Sequence, residues 1–168
     1  MEEHYMGHER SMEPVAKQTF DQIVEVAHTV LRDQGSHPAV FFVGGKDGSA
    51  MAPLTETDFV YGAAFAAGFT SAHIHPYYVV FVSEGWLSKG VPSRGEDIRN
   101  MPDTQECLRV VMQDRRGETM SVITPFTRIA NEVYLGETLP SVEITFSVLD
   151  VFWEGVRQGE QASAQQDE

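Results

Sequence analysis

Two histidines stand one residue apart in SAHIHPYYVVFVSEGW, residues 71–86. Residues two apart on an extended strand project from the same side, so His73 and His75 could offer two imidazole nitrogens to one zinc or iron ion. A metal centre needs further ligands, and no spacing elsewhere marks them. Glu84 does not complete the set. Extended chain from His75 would carry it roughly 30 Å away at about 3.3 Å per residue, and alternation would turn it to the opposite face. Pro76 meanwhile biases His75 toward an extended loop conformation. The pair is therefore expected in a loop that enters a strand, with a zinc site as the alternative and no cofactor otherwise expected.

Glu84 itself is expected just past the end of that strand, beside Gly85 and Trp86. A carboxylate next to a large aromatic could have a raised pKa and do acid–base work, but pairing with a nearby arginine is the more ordinary fate of such a group. Cys107 falls in an expected strand with no partner for nucleophilic chemistry, and reads as a buried thiol. The glycine-rich Gly44-Gly45-Lys46-Asp47-Gly48 lacks the spacing of a phosphate loop. It reads instead as a hairpin turn between apolar runs. No catalytic residues are assigned. The candidates for contact with a partner are Glu84, Trp86, Lys89, Arg94 and Arg99, at the head of and within a proline- and glycine-containing loop over 87–105.

The elements that would position these residues follow from hydrophobic period. Phe20, Ile23, Val24, Ala27, Val30 and Leu31 recur at helical spacing, with Pro14 at the start and Gly35 at the end. Thr55 to Asp58 has the form of a capping box before an alanine-rich helix, in which Phe59, Ala63, Ala66 and Ala67 are expected to face a core and Gly68 to cap the C-terminus. Tyr77–Ser83 is the clearest strand, continuous in apolar residues as expected when both faces are covered. ECLRVVMQD and ETMSVITPF flank Asp114-Arg115-Arg116-Gly117 as a second hairpin. RIANEVYL and SVEITFSV are further strands, and Leu149, Phe152, Trp153 and Val156 suit a short closing helix. The expected fold is α+β: a single domain with a mainly antiparallel sheet and helices packed on one face. It occupies residues 13–157, between a disordered tail over 1–12 and a disordered acidic tail over 158–168.

Composition narrows the function classes. The net charge is -13; residues 1–34 hold seven acids against three bases, and residues 131–168 hold eight against one. No basic stripe is present to neutralise phosphates, so nucleic acid is not expected as a partner. The longest apolar run, Tyr77 to Val82, is too short to span a membrane, and the acidic, polar N-terminal residues lead one to expect no secretory signal. A single cysteine fits a reducing, cytoplasmic setting.

Two resemblances add to this. His73-Ile74-His75-Pro76 resembles the His-x-His-Pro core of the JAMM metalloproteases, which would imply a zinc-dependent hydrolase. That family's following Ser-x-x-Asp is absent at its usual distance, with Ser93-Arg94-Gly95-Glu96 the nearest counterpart. The order of helix, FFVGGKDG hairpin, alanine-rich helix, VFVSEGW strand and proline-containing loop, over roughly residues 14–124, resembles a loose group of small uncharacterised prokaryotic and mobile-element proteins, and implies no activity. The expected function is a soluble, non-enzymatic protein-binding domain, adaptor- or inhibitor-like, in which homo-oligomers are open. A small metal-dependent hydrolase centred on His73 and His75, and a small-molecule-binding or sensing domain, are the alternatives.

Overall fold

The computed structural model describes residues 14–55, 58–87, 104–140 and 147–166. In chain order these form α1 (Pro14–Gln34), β1 (Val40–Gly45), β2 (Gly48–Pro53), α2 (Val60–Ser71), a 3-10 turn (Ala72–Ile74), β3 (Pro76–Leu87), β4 (Gln105–Asp114), β5 (Thr119–Ile129), β6 (Glu132–Leu135), β7 (Leu139–Pro140) and α3 (Ser147–Gln166). Every strand pairing is antiparallel, in the order β2-β1-β3-β4-β5-β6, with β7 also on β5. The α+β class and the antiparallel sheet are as the sequence leads one to expect.

The helices, however, divide between the two faces of the sheet. Alternation sends Val79 and Phe81 of β3 one way and Val80 and Val82 the other. The first pair packs with Phe41, Val43, Val111 and the inner residues of α2 and α3; the second packs with Leu108, Val110, Met112, Phe126 and the Phe20–Leu31 stripe of α1. Two half-cores result, joined only through the sheet. The uninterrupted apolar run of β3 already required cover on both faces, so the one-face arrangement was inconsistent with it.

Local chemistry explains the boundaries. Gly35 ends α1 at φ +78, its N–H bonding the Leu31 carbonyl at 2.9 Å. At 55–60 the Asp58 carboxylate accepts the Thr55 N–H at 2.7 Å, the back-reaching half of a capping box, yet α2 starts later, with Phe59 as its uncapped N-cap. Gly68 lies inside α2, not at its end. A Cβ there would stand 2.0 Å from the Phe152 carbonyl oxygen, and one at Gly155 would stand 2.2 Å from that of Phe65. The small residues of α2 thus admit α3 rather than the sheet, and Phe59 and Ala66 point outward.

RIANEVYL is a hairpin, not one strand: Ala130 and Asn131, at φ 52 and 70, form the primed turn between β5 and β6. In SVEITFSV, residues 141–146 lie outside the described residues, and Ser147 and Val148 already belong to α3. The segment expected as a tail from residue 158 is helical to Gln166, because Gly159 continues the packed seam against Phe69 and Ala72.

Candidate functional site

His73 and His75 are not on a strand. His73 lies in the 3-10 turn, and its Nδ1 is 2.8 Å from the Thr70 carbonyl; His75 follows it in the left-handed region at φ 54. Strand alternation therefore does not align the two rings. The His75 Nδ1 meets the Asp47 carboxylate at 2.8 Å, both groups being exposed. The neighbouring backbone accounts for this pairing: the N–H groups of Lys46 and Asp47 bond the carbonyls of His75 and Ile74 at 3.1 and 3.0 Å. The β1–β2 turn is thus docked on the turn that carries the histidines. No group of three or more His, Cys, Asp or Glu that could hold a metal occurs among the described residues.

Glu84 is inside β3 rather than beyond it, paired with Leu108, and Trp86 is paired with Glu106. Even-numbered β3 residues face α1, so Glu84 shares a face with Glu106 of β4 and Arg128 of β5. One Glu84 oxygen accepts the His37 N–H at 2.7 Å and the other accepts from Arg128 at 2.7 Å. Arg128 also reaches the Glu106 carboxylate at 3.2 Å and the Gly35 carbonyl, and its guanidinium lies 5.0 Å from the centre of the Phe126 ring. The cluster ties the exit of α1 to the ends of three strands. Both Glu84 oxygens are occupied, one of them in the pairing with an arginine that is ordinary for such a group. Arg128 was not singled out by its sequence neighbours; only the face parity of a correctly placed β5 would have found it.

Cys107 is fully buried on β4, and desolvation pushes its thiol pKa up, with Arg109 acting in the opposite sense. A thiol held protonated in this way is a poor nucleophile. Lys89, Arg94 and Arg99, and most of the 87–105 loop, lie outside the described residues.

A second polar chain sits under α1: the His28 Nε2 is 2.9 Å from the hydroxyl of buried Thr124, which is 2.8 Å from that of Thr138. Burial lowers the His28 pKa, Arg32 lowers it further, and Glu25 opposes both.

Two surface features remain. A cleft of about 560 Å³ opens between the N-terminal turn of α1 and the β4–β5 turn, lined by Tyr77, Tyr78, Arg115 and Arg116 among others. The outer face of α2 is apolar: Phe59 is 74% exposed, Phe69 44% and Tyr61 39%, the Tyr61 ring lying 5.8 Å from that of Phe59. Residues 59–83 include no Asp, Glu, Lys or Arg. No described helix is long and apolar enough to cross a membrane. Comparison with protein-family models, curated proteins and solved structures yields no match.

Proposed function

We propose that the protein is a non-enzymatic protein-binding module whose partner docks on the outer face of α2. The observation that carries this reading is the charge-free, aromatic exposed side of that helix. A helix apolar on every side is ordinarily buried on every side, and large exposed apolar patches mark interaction surfaces. On a chain of net charge -13, the matching partner presents an apolar surface with a basic rim, which adds steering to burial. A photo-cross-linking residue at position 69, compared with one at exposed Gln161, tests this. The expected result is one specific adduct at 69 whose purified partner loses affinity at least tenfold against Phe69→Asp with an unchanged thermal melt. The same adducts at both positions, or undiminished affinity, would reject it.

A second reading rests on the cleft. Two tyrosines and two arginines at its wall suit a small anionic ligand, although Arg115 also contacts Glu160 and Arg116 contacts Asp114. Tyrosine fluorescence titrated with small phosphates and carboxylates would report it. A response unchanged in Arg115→Ala would count against this cleft as the site.

A further inference from the structure

The outer edge of β2 points to a different contact, with a second copy of this chain, and it stands independently of the reading of α2. A two-residue turn makes Gly45–Gly48 the closing hydrogen-bonded pair of the β1–β2 hairpin. Bonded pairs then alternate along the ladder, through Val43–Ala50 and Phe41–Ala52. The Leu54 N–H, which reaches the Ala39 carbonyl at 2.8 Å, continues the same parity. It follows that the N–H and C=O groups of Ser49 and Met51 point away from β1. No strand pairs with that edge among the described residues. Pro53, the next outward residue, has no N–H to offer and stops the row.

Edge strands are ordinarily blunted by charge, bulges or cover. Residues 48–55 carry no charge, and Met51 is 64% exposed beside its cross-strand neighbour Phe42. Outward donors and acceptors at strand spacing are best complemented by another extended strand.

β2 is itself such a strand, and the geometry points to antiparallel pairing of two β2 edges about a two-fold axis at Ala50. Ser49 then faces the partner's Met51 and Met51 faces the partner's Ser49. Each of these pairs joins two outward residues, so each exchanges two backbone hydrogen bonds. The two methionines become diagonal neighbours within reach of each other. Asp47 falls opposite the partner's Pro53, so the two Asp47 carboxylates are offset by about 20 Å along the strands, well beyond the Debye length of about 8 Å. The contact is isologous and uses up both edges, which gives a closed dimer rather than a fibre.

Sedimentation from about 10 μM to 1 mM protein, at about 0.05 and 0.5 M NaCl, tests this. The wild type should shift from monomer toward dimer, and further at high salt, because screening weakens the repulsion between two acidic molecules. Met51→Pro deletes the outward N–H without touching the β1 ladder, and Met51→Lys adds the missing edge charge; both should stay monomeric with the wild-type melt. If the proline variant fails to fold, the lysine variant decides. A wild type that is monomeric throughout, or a dimer that persists in the folded variants, overturns the proposal. So would a monomeric wild type whose edge is occupied by a different protein.

Discussion

Arg128 holds two carboxylates, a carbonyl and an aromatic ring from four separate places in the chain, so its loss leaves Glu84 and Glu106 close together without a shared cation. The guanidinium is about a third exposed, which limits each single pair to less than about 1 kcal/mol. The network should be worth more than one pair, and Arg128→Met should cost about 1–2 kcal/mol in urea unfolding. Adding Glu84→Gln should cost less than the sum of the two single changes. Additive losses would show that the cluster does not act as a unit. His28 makes a pH prediction. Its folded pKa lies below the ordinary imidazole value, so as pH falls below about 6.5 the unfolded chain takes up the proton first. Stability from this group is complete above that pH and is lost as pH falls toward the folded value. The wild type should therefore lose more stability than His28→Gln between pH 7.5 and 5.5, and equal losses would refute the assignment.

At the scale of elements, the crossing of α2 and α3 is set by glycine. Gly68→Ala places a methyl group against the Phe152 backbone, which cannot yield as a side-chain tip can. It should cost about 3 kcal/mol or more by forcing the helices apart. Gly62 lies in the same helix but faces outward, and a Cβ there meets only the Phe59 ring at 3.6 Å. Gly62→Ala should raise stability by about 0.5–1 kcal/mol through helix propensity. Thermal melts of the two variants should move in opposite directions. This contrast also marks what could be read from sequence. The period of α1, the Asp47-Gly48 and Asp114–Gly117 hairpins and the buried strand through Val79–Val82 were legible, because each depends on neighbours in the chain. The partners of Gly68, Glu84 and Arg128 were not, because each is fixed by a contact between distant segments. The placing of His73 and His75 in a turn that leads into the strand was legible too, and only the alternative of two rings aligned on a strand fell, because a 3-10 turn precedes Pro76.

For the whole molecule, the division into two half-cores means that the sheet is insulated from water by α1 on one side and by α2 with α3 on the other. Removing α3 should leave Phe41, Val79, Phe81 and Val111 partly bare while sparing the α1 face. A chain ending at residue 146 should keep strand-type circular dichroism, bind a hydrophobic dye such as ANS, and lose its sharp near-ultraviolet signal. Unfolding of both faces together, with no dye-binding compact state, would show that the half-cores are not separable.

The seam of Gly68, Gly155 and Gly159 also bears on how the chain is made. Synthesis runs from the N-terminus, and domains fold as their parts emerge. The α1 side can close once β5 and β6 have been translated, but the α2 side lacks α3, which completes its half-core, until residues 147–166 leave the ribosome. Until then Phe41 and Phe81 of the nascent chain lack their cover from Phe152, the kind of apolar exposure that chaperones recognise.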